Sequence, residues 1–339
     1  MRIGLNPNKN KQLVTTDYFH QVVIPVYIPN LEGYFKNSLQ LLSYCLESLF
    51  KTSHTKTYFT LVNNGCCKEV ENFITELHIS NKIHEVIHTD NIGKLNAVLK
   101  GIAGQNFPLI TITDADVLFV NNWQKATYDV FSSFPKAGVV CPSPSSRVVK
   151  QYTYNVILNN FWSKKLKFTN VVNKKAMESF ALSIDNPEFY NQYHLEKYLT
   201  LSSKNAKAVI GAGHFVATYK SVIFNHSLRR FTEYSLGGES EEVLLDQPVV
   251  NEGYWRLSTE DNFAYHMGNV EEPWMKESLE AIIEDETEFQ QPKLPTVKTI
   301  KWVNYCKENF FNRIIVKPLV WNWFLHYKGL SKEASKKYL

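Results

Sequence analysis

The sequence predicts an α/β protein in which helices cover both faces of a doubly wound, mostly parallel sheet. The first observation behind this prediction is a regular alternation. Up to Cys141, short apolar segments alternate with segments of helical spacing, which is typical of parallel strands joined by crossover helices. The second is composition: 44% of the 339 residues are hydrophobic and 21% are charged, which is enough apolar surface for a large core.

The predicted elements follow one another along the chain. Strands are expected at 20–26, 57–63, 83–88, 108–113, 138–141, 208–210, 215–218 and 254–258, and helices at 31–50, 69–77, 94–102, 121–134 and 241–252. Between 147 and 203 the alternation stops, and this aromatic, mixed stretch is expected to be helical.

Charge and composition divide the chain into regions. We expect an N-terminal arm (1–18), a large α/β domain (19–270) with an insert at 147–205, and a helical C-terminal region (271–339). From Gln291 to Leu339 there are ten Lys or Arg and two Glu, which gives +8; the rest has 27 basic and 31 acidic residues, which gives −4. Such a split indicates a segment with its own partner.

The five cysteines show no spacing typical of a zinc site or a disulfide framework. Reduced thiols are typical of the cytoplasm. The sequence also contains no apolar run of signal-peptide or membrane-spanning length. We therefore expect a cytoplasmic protein.

Two aspartates follow the apolar strand predicted at 108–113. Asp114 and Asp116 are two residues apart, so in an extended chain their side chains point to the same side. Carboxylates leaving a buried strand need a cation or hydrogen-bond donors nearby, and Mg²⁺ and Mn²⁺ prefer oxygen ligands together with substrate phosphates. The pair predicts a divalent-metal site; the alternative interpretation is a turn cap after the strand.

Other polar residues lie at the ends of neighbouring strands, where ligands of such sheets bind. Gly93 and Lys94 open a predicted helix and offer backbone N–H groups and a cation to a phosphate; the alternative interpretation is an ordinary helix start with a solvated lysine. Tyr27 can stack on a base, and the amide of Asn63 can pair with a base edge. Each of these residues alone is more often structural.

The order and spacing of these four segments resemble the family-two glycosyltransferases, which have the Rossmann-like GT-A fold. In that family the first strand reads roughly V-x-I-P-x-Y, the second ends in D-D-G-S, the third leads to N-x-G-K-x-x-A and the fourth ends in D-A-D. The matching segments here are Val22–Tyr27, Asn63–Gly65, Asn91–Ala97 and Asp114–Asp116. The resemblance covers residues 20–120 well and 208–268 more loosely. It implies that 19–270 is the catalytic domain and that the insert at 147–205 lies on the acceptor side.

The resemblance implies roles for individual residues. Those expected to contact the nucleotide sugar are Pro25, Tyr27 and Asn63 in the nucleoside pocket, Lys94 near the nucleotide and Asp114 on the ribose side. Asp116 is expected to hold the metal. The family usually has Asp where this chain has Asn63 and Asn64, so the base in the donor stays open.

The second half of the chain carries three further features of the family. Gly213 lies in a segment that looks like the glycine-containing loop beside the donor sugar, with a plain tight turn as the alternative. His266 looks like the histidine that completes coordination of Mn²⁺ or Mg²⁺ with Asp116 and Asp114, although a lone histidine after a strand is usually structural.

The third feature concerns the catalytic base. The family often has an E-D pair about a dozen residues before G-Y, and its Asp acts as general base. Counting back from Gly253 places Glu242 at that position, with Glu241 and Asp246 as rivals. Acidic residues also simply favour a helix N-terminus.

These residues predict a metal-dependent, inverting transfer of a sugar from a nucleotide-diphosphate sugar, a UDP-sugar by resemblance, to a hydroxyl of a saccharide or lipid-linked saccharide. Three alternatives stay open: a retaining transferase on the same fold, a sugar nucleotidyltransferase, and a saccharide-binding homologue without catalysis. Residues 28–34 lack the glycine- and Arg/Lys-rich loop of a nucleotidyltransferase. The presence of Asn63 where the family usually has Asp fits the third alternative, a homologue without catalysis.

The basic C-terminal region predicts a partner of its own. Val303, Cys306, Phe310 and Ile314 have the spacing of one helical face, which Pro318 should end. Basic helices with Trp and Phe lie in membrane interfaces, so we expect peripheral contact with the inner face of a membrane. The alternative is that the aromatic residues pack back onto the catalytic domain. Nucleic acid is not an expected partner, because the rest of the chain is acidic.

Overall fold

The computed structural model describes residues 4–6, 8–12, 16–226, 231–284, 289–297 and 300–338. Its strands are β1 (His20–Val26), β2 (Thr57–Asn64), β3 (Glu85–Thr89), β4 (Leu109–Thr113), β5 (Val117–Phe119), β6 (Ala137–Cys141), β7 (Leu166–Asn170), β8 (Lys197–Ser202), β9 (Lys207–Ile210), β10 (Val216–Lys220), β11 (Trp255–Thr259) and β12 (Ala264–His266).

Helices separate most of these strands. They are α1 (Ser38–Thr52), α2 (Lys68–Ile79), α3 (Lys94–Ile102), α4 (Trp123–Ser133), α5 (Tyr154–Asn159), α6 (Lys174–Ser183), α7 (Gln192–Glu196), α8 (Gln247–Asn251), α9 (Pro273–Glu280), α10 (Lys301–Phe310), α11 (Pro318–Tyr327) and α12 (Lys332–Lys337). Two π-helical turns, Glu242–Asp246 and Phe311–Ile315, lie before α8 and α11.

Ten of the described strands form one sheet in the order β3-β2-β1-β4-β10-β6-β11-β9-β8-β7. β3, β2, β1 and β4 are mutually parallel, β10 runs antiparallel between β4 and β6, and β11 is parallel to β6. β9, β8 and β7 then alternate in direction. Strands of one direction are therefore in the majority, and the predicted mostly parallel α/β class with a C-terminal helical region is confirmed.

The centre of the sheet is apolar on both faces, as expected for strands covered by helices on each side. All five residues of β4 are buried, and Val22, Val23 and Ile24 of β1 are completely inaccessible. The buried side chain of His20 has hydrogen-bond partners within this core. His20 donates or accepts at both ring nitrogens, with Tyr128 and Thr111 at 2.7 Å each, and burial lowers its pKa well below the usual value.

The region 147–205 is only partly helical. It contains α5, α6 and α7 as expected, but also β7 and β8, which extend the large sheet. In β7 the buried Leu166 and Phe168 alternate with the exposed Lys167. This period of two is a strand signal, and the prediction of a helical stretch was wrong there.

The C-terminal region is divided between core and surface. Phe311, Trp321 and Phe324 are buried in a second hydrophobic cluster with residues of β7, β8 and β9, whereas Trp302 and Tyr305 are exposed. The predicted helix does end before Pro318, which is the first residue of α11. Of the predicted face, Cys306, Phe310 and Ile314 are exposed and Val303 is half-buried. No helix of the described residues is long and apolar enough to cross a membrane.

Candidate active site

Asp114, Asp116 and His266 converge at the carboxyl end of β4. β12 pairs antiparallel with β5, and the pair His266↔Val117 brings the histidine beside the second aspartate. One ligand atom from each of the three residues lies within 4.8 Å of the other two. Ligand atoms around a bound Mg²⁺ lie about 3 to 4 Å apart, so a small inward movement would let all three bind one ion.

Hydrogen bonds fix the tautomer of His266. The Ser183 hydroxyl donates to the Phe180 carbonyl at 2.8 Å, so its oxygen accepts the Nδ1–H of His266 at 2.9 Å. Nε2 is then left with its lone pair, and it faces Oδ2 of Asp116 at 3.6 Å. Two acceptors that face each other are stabilised by a proton or a cation between them, and a hydrogen bond at the other nitrogen is typical of metal-binding histidines.

The electrostatics around Asp116 also favour a cation. Burial raises the pKa of this carboxyl group; His266 opposes the increase only when it is protonated, and the nearby Asp114 adds to it. Two half-buried carboxylates side by side are unfavourable without compensation. The donor set of two carboxylates and one imidazole suits Mn²⁺, and its oxygens suit Mg²⁺.

Lys94 links the metal group to the rest of the site. It begins α3, and its ammonium lies 2.6 Å from Asp114 Oδ1 and 3.3 Å from Glu241 Oε1. Burial lowers the pKa of Lys94, but the two carboxylates outweigh this effect and raise it. The preceding Gly93 has φ +86°, and an added Cβ would lie 3.0 Å from the backbone of Ser235. A glycine is therefore required where α3 starts.

A cleft of about 510 Å³ opens beside the metal group. It is lined by Pro25 and Tyr27, which the resemblance assigns to the nucleoside, and by Tyr34 and Phe35. The ring of Tyr27 meets Phe35 edge to face at 6.0 Å. An open aromatic wall of this kind can stack on a planar base.

The amides near the cleft are placed differently from the prediction. Asn63 is buried outside the cleft lining; its oxygen accepts from the Cys66 N–H at 2.9 Å and its amide donates to His88 at 3.0 Å. Asn64 and Asn91 do line the cleft. Asn64 accepts from the Ile92 N–H at 2.9 Å, which holds the loop before Lys94 in place.

A second cavity, of about 380 Å³, shares Lys94 and Asp114 with the first. Its lining includes Gly213, His214 and Glu241. Gly213 has space for a side chain, since an added Cβ would meet only Cys141 Sγ at 3.9 Å. The two cavities meet at the metal group, so one molecule can occupy each and react there.

The second cavity contains a charged histidine that the sequence did not single out. His214 lies 2.8 Å from Asp246 through Nε2 and 3.3 Å from Glu241 through Nδ1. Burial lowers the pKa of His214, but hydrogen bonds to these two carboxylates raise it to about 9. Arg256, also buried, lies 2.8 Å from Asp246 and donates to the Ala212 carbonyl at 2.7 Å.

The three acidic candidates for the base lie in different environments. Glu241 borders the second cavity, and its hydrogen bond with His214, together with Lys94, lowers its pKa to about 2. Glu242 is exposed, accepts a hydrogen bond from Tyr152 at 2.9 Å and does not line either cavity described above. Asp246 is buried behind His214. The Gln247 N–H donates to the Glu242 carbonyl, which closes a π-helical turn directly after Glu241. Such turns are common at functional sites.

The sequence matches no protein-family model, and no curated protein matches it. The chain is similar to solved structures at low identity. TarS 1–349 from S. aureus in complex with UDP-GlcNAc has a TM-score of 0.44 and 11% identity, over 95% of this chain and 70% of that one. Another S. aureus TarS structure has a TM-score of 0.42 and 13% sequence identity, over 74% of this chain but only 37% of that one.

A third similar structure is the mannosyltransferase PcManGT from Pyrobaculum calidifontis in complex with GDP-Man and Mn²⁺. Its TM-score is 0.41 at 12% identity, over 97% of this chain and 76% of that one. Because all three TM-scores lie below 0.5, the function of this chain has to be inferred from its own residues.

Proposed function

We propose that the protein is a metal-dependent glycosyltransferase of GT-A type that uses a nucleotide-diphosphate sugar. The observation that carries the proposal is the group Asp114, Asp116 and His266, in which Nε2 of His266 lies 3.6 Å from the carboxylate of the half-buried Asp116. The nearby Lys94 and the aromatic wall of the first cleft are the further groups that a nucleoside diphosphate needs.

The residues present suit the reaction's leaving group. When bound, Mn²⁺ or Mg²⁺ would neutralise the diphosphate. Lys94 would supply a cation to the phosphates through its ammonium, which pairs with Asp114 and Glu241 in the free protein, whereas its backbone N–H already donates to the Ser235 carbonyl at 3.0 Å. The base would lie against Tyr27, with Pro25 beside it; Asn63 would act indirectly, by holding the loop at Cys66. Gly213 would leave room for the donor sugar.

Glu241 is the best placed of the three candidate bases. In an inverting transfer the acceptor hydroxyl attacks the anomeric carbon, the bond from that carbon to the diphosphate breaks, and Glu241 takes the hydroxyl proton. A pKa of about 2 makes it a weak base in the free protein. His214 and Lys94 are the two cations that lower the pKa of Glu241. When Lys94 pairs with the diphosphate instead, the pKa of Glu241 should rise and make it a stronger base.

The identity of the donor and of the acceptor is proposed from the resemblance to the family-two glycosyltransferases. We propose a UDP-sugar as donor and a saccharide or lipid-linked saccharide as acceptor, bound in the second cavity. A retaining transferase would use the same metal group, and anomeric NMR of the product separates the two outcomes. We also propose peripheral contact with a membrane; this is independent of the reaction, since a soluble acceptor would serve the same chemistry.

Calorimetric titration with UDP and GDP tests the donor site. We expect one of the two to bind in the presence of Mn²⁺, and binding to weaken at least about tenfold after chelation or in Asp116→Asn. Asp129→Asn, which changes an exposed aspartate on α4, is the matched control and should bind normally. Equal binding with and without metal, or by Asp116→Asn, would contradict the proposed site.

A further inference from the structure

An exposed aromatic ridge joins the insert to the C-terminal region. It consists of Trp162, Leu319, Trp323 and Tyr327, whose exposed fractions are 71%, 86%, 49% and 47%. The last three are four residues apart on α11 and so form one stripe of that helix. Trp162 meets Trp323 at 6.4 Å and Tyr327 at 5.9 Å, edge to face in both cases. Large exposed apolar groups in contact with one another mark an interaction site.

The ridge is held in place by the core beneath it. The Lys328 ammonium donates to the Ser163 carbonyl at 3.0 Å and lies 4.9 Å from the ring of Tyr327. Phe324, one residue after Trp323, is completely buried. The two segments are therefore joined, and the exposed side chains are presented on a fixed surface.

The segments that supply the ridge contain basic but no acidic residues. No Asp or Glu occurs between Asp129 and Glu178, or between Glu308 and Glu333. Lys164 and Lys165 follow Trp162 after one intervening residue, and both are exposed. A surface that combines exposed Trp and Tyr with unopposed lysines complements an anionic, amphipathic partner.

The ring geometry disfavours a sugar platform. A pyranose ring stacks on an open aromatic face, but Trp323 is stacked against Tyr327 at 5.5 Å on one side and lies near-parallel to Phe161 at 6.2 Å. Its faces are used by neighbouring rings. Trp and Tyr presented in this way are typical of the water–lipid interface.

We infer that this ridge docks the protein on an anionic lipid surface. The rings would lie at the headgroup level, and Lys164 and Lys165 would contact the acidic headgroups. The inference gives the proposed membrane contact a defined surface and does not depend on the glycosyl-transfer reaction.

Co-sedimentation with vesicles tests the inference, with phosphatidylcholine alone compared with a phosphatidylcholine–phosphatidylglycerol mixture. The full chain should bind only the anionic vesicles, and less as salt increases. Trp162→Ser with Trp323→Ser, and separately Lys164→Glu with Lys165→Glu, should each lower the partition coefficient about tenfold or more. Circular dichroism would verify that these variants fold.

Matched controls separate the ridge from general effects. Ile79→Ser changes an exposed apolar residue on α2, and Lys82→Glu with Lys100→Glu reverses two exposed lysines near the opposite edge of the sheet; both should bind like the wild type. Unchanged binding by the ridge variants, or equal binding to both kinds of vesicle, would overturn the inference. So would a dimer that dissociates in the Trp variants while no vesicle binds, because the ridge would then be a contact between copies.

Discussion

At the scale of residues, Glu241 is the side chain whose placement matters most. Counting along the sequence favoured Glu242, its neighbour. The structure turns Glu241 toward Lys94 and His214 and leaves Glu242 against Tyr152. Counting back from Gly253 assumes a regular helix. The π-helical turn at Glu242–Asp246 adds a residue to one turn, so the residue that faces the cavity is displaced by one position.

Replacement of Glu241 tests its proposed role. Glu241→Gln should lower turnover on the order of 10² or more, the usual scale for a general base, and should leave donor binding nearly unchanged. Glu242→Gln is the matched control and should keep most of the activity. Steady-state kinetics would measure both. An inactive Glu242→Gln variant with an active Glu241→Gln variant would show that this assignment is wrong.

His214 should make stability depend on pH. Its pKa rises from 6.5 to about 9 in the folded protein, so its contribution is fully present below pH 6.5 and is lost as pH increases through 9. The melting temperature of His214→Gln should therefore lie below that of the wild type by an amount that shrinks across this window. Thermal melts at several pH values would measure the difference. A difference that stays constant would exclude a charged His214.

At the scale of elements, α6 contributes to the metal group although it belongs to the insert. Its Ser183 orients His266, and an added Cβ at Gly268 would lie 2.8 Å from the Ser183 carbonyl. No local pattern predicts this contact, because Ser183 and His266 are 83 residues apart and α6 carries no recognised motif.

Removal of the Ser183 hydroxyl should weaken metal binding without removing a ligand. We expect Ser183→Ala to lower Mn²⁺ affinity about 10- to 100-fold, as is typical when the partner of a metal-binding histidine is lost. Electron paramagnetic resonance of free Mn²⁺ would measure this. Ser80→Ala, at the exposed end of α2, is the control. Unchanged affinity would mean that His266 does not bind the metal.

Periodicity predicted the elements of the first half well, since α3 and β1 have the bounds expected for them. These elements are strongly patterned. β7 and β8 were missed because they lie in an aromatic stretch where strands no longer alternate regularly with helices, although β7 has a period of two. For the site, Asp114, Asp116 and Lys94 could be found from strand ends, whereas the pairing of His214 with Asp246 depends on tertiary contacts that no local pattern records.

At the scale of the whole molecule, the C-terminal region is part of the fold. Phe311, Trp321 and Phe324 are buried with residues of the outer strands. Burial of three such side chains stabilises the fold by roughly 5 to 9 kcal/mol, which is comparable to the total stability of a domain. Aromatic residues of this region thus serve both the core and the surface.

Truncation tests this conclusion. A chain ending at Gln290 should melt at a clearly lower temperature than the full chain, or fail to unfold cooperatively, because it exposes the second cluster. Differential scanning calorimetry would show the change. A truncated chain with the stability of the full protein would mean that the C-terminal region is an independent appendage.

The central claim is that the Asp114, Asp116 and His266 group activates a nucleotide sugar. The most direct measurement is release of nucleoside diphosphate from a panel of UDP- and GDP-sugars, with and without Mn²⁺, by the wild type and by Asp116→Asn. We predict release from at least one donor that requires the metal and is abolished in the variant, while circular dichroism shows an intact fold. Release that persists after chelation or in Asp116→Asn, or no release from any donor, would contradict the claim.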